Sequence, residues 1–180
     1  MQESRYKTFW PRIMASIIDV IILYPIGLIM SFVYKSGLPF TVFVAFILDI
    51  CTTLAYSIYL HGYYGQTIGK WLMKVRVLSL DETHLSMRQA VLRDSIGIAF
   101  NVVLLAYATG PILSGISPDS HEFGRHIPAT IFNVAFVVFA LEVITMLTNK
   151  KRRSLHDYIA GSVVVRCLDT APDPDSKRSP

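Results

Sequence analysis

Asp19, Asp49, Arg93, Asp94 and Glu142 are ionisable residues set within long apolar stretches of the chain. An ionisable side chain near the middle of a membrane helix costs roughly 2.5–3.5 kcal/mol on insertion scales, so such residues face the bundle interior, pair with each other or line a route for ions. An acid held there can exchange a proton or hold a cation, and a neighbouring guanidinium sets how readily it does so. Asp19 is the candidate titrating acid, with Glu142 or Asp94 as a relay and Arg12 or Arg93 as the counter-charge. Asp49 falls in the opposite half and reads as a separate acid. The bland alternative is a buried ion pair of Asp19 with Arg12 or Arg93 that fixes helix register and conducts nothing.

Spacing supports a shared layer. Arg12, Ala15, Ser16 and Asp19 recur at helical spacing and fall on one stripe. Ala15 and Ser16 are small, which lets another helix approach closely. At 1.5 Å per residue Asp19 lies about 10 Å inward of Arg12. Glu142 lies about as far from the end of its own apolar block, and Arg93 is slightly shallower.

The elements that must position these side chains are apolar blocks at about 12–34, 40–64, 90–114 and 128–149, each of the length needed to cross a hydrocarbon core of about 30 Å. The third is the weakest, because Arg93 and Asp94 stand near its start, and a start nearer Ile96 is the alternative. At 180 residues and 52% hydrophobic, with 17% charged, the chain is too apolar for an ordinary soluble domain. The first block is long and lacks a small-residue cleavage site, so it is expected to be retained.

Charge placement gives the orientation. Arg5, Lys7 and Arg12 precede or open the first block, Lys70, Lys74, Arg76, Arg88 and Arg93 stand between the second and third, and Lys150, Lys151, Arg152, Arg153, Arg166, Lys177 and Arg178 follow the fourth. Only Lys35 and Arg125 fall on the other side. The positive-inside rule places both termini in the cytoplasm of a multi-pass cell-membrane protein, with four crossings, or two if the weaker blocks lie at the surface. Flanking charges of this kind, with no recognition motif beside them, also argue against a nucleic-acid partner despite the net charge of +4.

In the connection, "GYYGQTIGKWLMKVRV" runs G-x-x-x-G-K from Gly65, one residue short of a phosphate-binding loop, with Trp71 where Ser or Thr should hold magnesium. The plain reading is that its glycines let the chain leave the membrane and turn, while Lys70 and Lys74 contact anionic lipid headgroups. Lys150, Lys151, Arg152 and Arg153 read as a second headgroup cluster. "KVRVLSLDETHLSM" has strand-like alternation around a polar turn, and a sheet pairing about Val75–Leu80 with about Val163–Leu168 is expected beneath the bundle, short surface helices being the alternative. Ser154 reads as the cap of a short helix with Asp157 near its positive end, and His156 as a solvent-exposed histidine.

The chain carries no H-E-x-x-H, no G-x-S-x-G and no cysteine cluster, so no enzymatic activity, cofactor or metal is expected. Cys51 and Cys167 fall in different regions, and no disulfide is proposed.

Four segments, "PRIMASIID", "GQTIGKWLMKVRV", "AVLRD" and "RRSLHDYIAGSVVV", together resemble the RDD family of small integral membrane proteins over about Pro11 to Val165. The family is named for an arginine opening the first helix, an aspartate in its middle and a second aspartate further on, which correspond to Arg12, Asp19 and Asp157. The turn "DETH" lacks the glycine usual there, and Ser162 replaces a usual threonine. The resemblance implies suspected transport, including sodium/proton exchange in some members.

These readings converge on an all-α membrane protein, a four-helix transmembrane bundle with a small cytoplasmic β element over residues 1–168 and a disordered polar tail over 169–180. The expected activity is permeation of a proton, sodium ion or small solute through the charged intramembrane site, with Asp157 orienting the inner mouth and a homo-oligomer completing the path. A non-transporting membrane adaptor or assembly factor with structural buried charges is the alternative.

Overall fold

The computed structural model describes residues 5–167. The expected polar tail, the basic residues Lys177 and Arg178 and the last strand position, Leu168, lie outside the described residues.

Helix α1 (Phe9–Tyr34) begins with Pro11 in its first turn, where a backbone N–H has no helical partner, so the missing donor costs little. A turn through Gly37, at φ 70°, leads to Pro39, which opens α2 (Pro39–Tyr64). Gly65, also at φ 70°, ends α2 in the left-handed conformation that glycine adopts without a Cβ penalty. The chain then forms α3 (Ile68–Leu72), strand β1 (Val75–Ser79) and α4 (Met87–Arg93), whose start is fixed by a reciprocal cap between Ser86 and Gln89. After α5 (Ser95–Leu113) and the short α6 (His121–His126) comes α7 (Ala129–Thr148), then α8 (Leu155–Ala160) and β2 (Ser162–Arg166).

Four of these helices, α1, α2, α5 and α7, are long and apolar enough to cross a membrane. Large apolar side chains point outward along them, among them Phe32 at 75% exposed and Phe136 at 71%. Such surface is unfavourable in water but matches hydrocarbon. The chain is a multi-pass membrane protein, a helical bundle with a small two-stranded sheet.

The expected sheet forms: β1 and β2 are antiparallel, with Val75 opposite Arg166, Val77 opposite Val164 and Ser79 opposite Ser162. Val75, Val77 and Val164 pack with Leu85 and Ala90 into a small core on the side of the bundle where both described ends lie. At the turn "DETH", Glu82 has φ 63°, the left-handed region in which glycine is the usual residue. A second core, around Val42, Ala45, Ala108, Ile112 and Ile131, joins the bundle toward its other side.

One boundary differs from expectation. The third apolar block does not run through 90–114, because the helix breaks at Asp94 and only Ser95–Leu113 spans. Arg93 and Asp94 therefore stand at the mouth of the span. The break keeps the guanidinium out of hydrocarbon and turns it toward the polar residues that follow α7.

Candidate functional site

The charged residues gather on the termini side of the bundle in two adjoining arrangements, a closed ionic knot and a polar cavity. Asp157 is the centre of the knot and is fully buried. Its local position follows from sequence: Ser154 and Asp157 form a reciprocal cap on α8, with the Ser154 N–H donating to Asp157 Oδ2 at 3.0 Å and the Ser154 hydroxyl at 2.9 Å. Arg12, from the first turn of α1, reaches the same Oδ2 at 2.8 Å, and Arg93, at the end of α4, donates to Oδ1. Both guanidiniums are buried and otherwise satisfied, Arg12 by the Arg152 carbonyl at 3.0 Å and the Ser154 hydroxyl at 2.9 Å, Arg93 by the Ser162 hydroxyl at 3.0 Å. Burial alone would raise the Asp157 carboxyl, but Arg93 and Arg12 outweigh it and hold the group well below the usual carboxylate range.

His156 couples the knot to α7. Its Nε2 lies 2.9 Å from Arg93 Nη2 and 3.2 Å from Arg12 Nη2, and its Nδ1 faces Glu142 Oε1. Guanidiniums only donate, so Nε2 is the acceptor and Nδ1 carries the proton that points at Glu142. Burial, and then the charge of Arg93, lower the affinity of this imidazole for a second proton.

Asp19 is not part of the knot. Its Oδ1 accepts from the Tyr56 hydroxyl at 2.7 Å and the Gly69 N–H at 2.8 Å, and its Oδ2 from the Thr67 hydroxyl at 2.6 Å. Among the described residues it forms no ion pair. The stripe of α1 that carries Ala15 and Asp19 receives α3, and the approach is so close that a Cβ on Gly69 would stand 2.1 Å from the Ala15 carbonyl oxygen and 2.9 Å from the Asp19 carboxyl. The segment that half-matches a phosphate loop thus docks on a carboxylate of its own chain.

Beside Asp19 opens a cavity of about 250 Å³ bordered by Tyr56, His61, Lys70, Asp94 and His156 among others. Asp94 accepts from the Ser57 hydroxyl at 2.9 and 3.0 Å, and among the described residues it too lacks an ion pair. His61, buried, lies with its Nδ1 2.8 Å from the Ser57 carbonyl, which leaves its Nε2 to accept from Lys70 Nζ. Burial, followed by repulsion from Arg93 and Arg12, lowers Lys70 to about 7, against a smaller pull from Asp19 and Asp157.

Several expectations are corrected by this geometry. Arg12 and Arg93 are not counter-charges of Asp19, because Asp157 with its capping serine offers them a nearer set of acceptors. Lys70 is not a headgroup contact, since it turns inward onto His61. His156 is not solvent-exposed: its side chain is 22% accessible and has partners at both nitrogens. The basic cluster divides. Lys150 and Lys151 are exposed, whereas Arg153 stacks over Tyr158 at 4.1 Å and donates to the Ser162 and Asp157 carbonyls, and the Arg152 carbonyl holds Arg12. Lys74 is exposed. Asp49 is half-buried near Tyr34, in the other half of the bundle, and does not border the cavity.

Tyr56, His61 and Thr67 are absent from the sequence candidates, and Lys70 stands among them only as a headgroup contact. Tyr56 and His61 lie on a span whose face no periodicity marks, and Thr67 and Lys70 lie in a connection whose depth the sequence leaves open. The one available signal was the spacing of Thr67 and Gly69 directly after the glycine that ends α2. Among the described residues no group of three His, Cys, Asp or Glu side chains is disposed to hold a metal ion.

No curated protein and no solved structure matches the chain. The model of the RDD family matches residues 6–161, which takes in Arg12, Asp19 and Asp157 with every span. On that match, and with its arginine, its first-helix aspartate and its later aspartate assembled at one end of a four-span bundle, the chain belongs to the RDD family.

Proposed function

We propose that the protein conducts a proton or small cation through the cavity beside Asp19, as a conduit and not a catalyst. The observation that carries this reading is the division of the acids. Asp157 is neutralised by Arg12 and Arg93, whereas Asp19 and Asp94 border a cavity with only neutral hydrogen-bond donors on their oxygens. A carboxylate held by neutral donors keeps its negative charge available to a cation. His61, Lys70, and the Glu142–His156 pair supply further proton-exchanging groups within the same region.

The spans of one copy enclose little, so the path is completed by a second copy against the outer face of α1, where Val20, Ile21, Ile29 and Phe32 are exposed. Both termini are taken as cytoplasmic, with Lys150 and Lys151 at the anionic headgroups.

The test is flux in proteoliposomes loaded with a proton-sensitive or sodium-sensitive dye. Flux is expected from the intact chain and its loss from Asp19→Asn. No flux from folded protein, or flux unchanged in Asp19→Asn, rules the path out. The knot itself favours a second reading, an adaptor whose buried charges only hold the bundle together, and a protein that folds but carries nothing would be that adaptor.

A further inference from the structure

Helix α7 is packed mainly against α8, and α5 against α2 and α6, so α5 and α7 leave a groove between them. Its volume is about 690 Å³ and its walls are apolar, formed by Phe100 and Val103 on one side and Ile131, Val134 and Val138 on the other. Val103 and Val134 are exposed, 45% and 61%, so the groove opens to the surrounding hydrocarbon. From Ile131 to Glu142 it runs about 16 Å at 1.5 Å per residue, the reach of a medium-length alkyl chain. Its termini-side end is polar: Arg93, Asp94, Glu142 and His156 close it, and three of these, Arg93, Asp94 and His156, also border the cavity beside Asp19.

The chemistry of that end selects among occupants. Arg93 is engaged by Asp157, Ser162 and His156, and the His156 Nδ1 proton by Glu142. The donors are therefore committed. The acceptors retain capacity: among the described residues the Asp94 oxygens receive only the Ser57 hydroxyl, and the Glu142 carboxylate receives only His156, through its Nδ1–H and its backbone N–H. Four carboxylates, Asp19, Asp94, Glu142 and Asp157, stand against two guanidiniums in this region, with Lys70 the other cation bordering it. A phospholipid would bring a phosphate, itself an acceptor and an anion, to a place already rich in both.

We infer that the groove between α5 and α7 binds a lipophilic cation, an amphiphile with one alkyl chain along the groove and a protonated amine donating to Asp94 and Glu142. The shared lining then gives the amine a lateral way from the bilayer into the cavity. This last step rests on the proposed cation path; the binding does not.

The test uses the full chain in phosphatidylcholine nanodiscs with radiolabelled dodecylammonium as the probe, empty nanodiscs giving the background. Saturable binding is expected, displaced by unlabelled dodecylammonium but neither by dodecyl sulfate nor by methylammonium. Asp94→Asn removes a charged acceptor and should weaken binding about tenfold. Val134→Trp fills the groove from its lipid side, away from every ionic partner, and should abolish binding while circular dichroism reports an intact bundle. Equal displacement by dodecyl sulfate overturns the inference, and so does binding unchanged in both variants. A dimer that dissociates in Val134→Trp overturns it as well, since the groove would then be filled by a second copy. Proton or sodium flux measured on the same preparations is a separate readout: binding without flux sustains the groove site and removes the path beyond it, whereas flux without binding does the reverse.

Discussion

The guanidinium of Arg12 lies 2.8 Å from the carboxylate of Asp157, which ties the first turn of the first span to the short helix that follows the last span. Both groups are buried, at 7% and 0% side-chain accessibility, and Arg93 completes the arrangement from a third segment. A carboxylate removed from water between two guanidiniums is stable only while all its lone pairs have donors, so each member depends on the others.

Removing one member should therefore cost more than its own contacts. Arg93→Met leaves Asp157 with one guanidinium and is expected to destabilise the folded chain by about 3–5 kcal/mol, the range for breaking a buried charge pair. Asp157→Asn alone leaves two buried guanidiniums without a carboxylate, whereas adding it to Arg93→Met leaves only Arg12, so the double variant should be less destabilised than the two single costs together. Unfolding of all three variants in a mild detergent, compared as a double-mutant cycle, measures the coupling.

Gly69→Ala places a methyl where the Ala15 carbonyl and the Asp19 carboxyl already stand. The obstruction is backbone and cannot swing aside, so α3 must lift off α1, at an expected cost of at least the 1–3 kcal/mol typical of overpacking. Gly97→Ala is the control, because a Cβ there meets nothing within 4 Å. Thermal unfolding should fall for the first and hold for the second.

Asp19→Asn separates conduction from folding. The amide retains an acceptor for some of the Tyr56, Thr67 and Gly69 donors, so the bundle is expected to fold with a loss of about 1.5–3 kcal/mol, the range for hydrogen bonds to a charged acceptor. Flux, in contrast, should disappear. A size-exclusion profile together with a flux trace distinguishes the two effects.

The pH response should run in two windows. His156 has a lowered folded value, so the unfolded chain takes up its proton first on acidification. Its contribution is fully present above the ordinary 6.5 and is lost as pH falls below it, and the lowered Asp157 adds a second loss below 3.8. Lys70, lowered from 10.5 to about 7, acts on the alkaline side: between those values the unfolded chain holds the extra proton, and stability rises with pH. In Lys70→Met that alkaline rise should vanish while the acid loss remains, which urea unfolding across pH 5–10 would show.

Sequence by itself determined the spans and the sheet. Block length and hydropathy mark α1, α2 and α7 to within a few residues because the bilayer imposes one length on every crossing, and strand-like alternation marks the two segments that pair, while their antiparallel register, with Val77 opposite Val164, comes from the structure. The cap of α8 was also legible, since Ser154 and Asp157 lie within one turn and need no distant partner. What only the tertiary structure decided is which charge meets which. Depth along a helix axis places Asp19, Glu142 and Arg93 at similar levels but carries no information about azimuth or about where a connecting segment folds back. The return of α3 onto the Ala15–Asp19 stripe gives Asp19 neutral donors, and the break at Asp94 frees Arg93 to join Arg12 on Asp157. A buried charge takes the partner whose complete set of hydrogen bonds is best met, and that set is assembled from three separate stretches of chain.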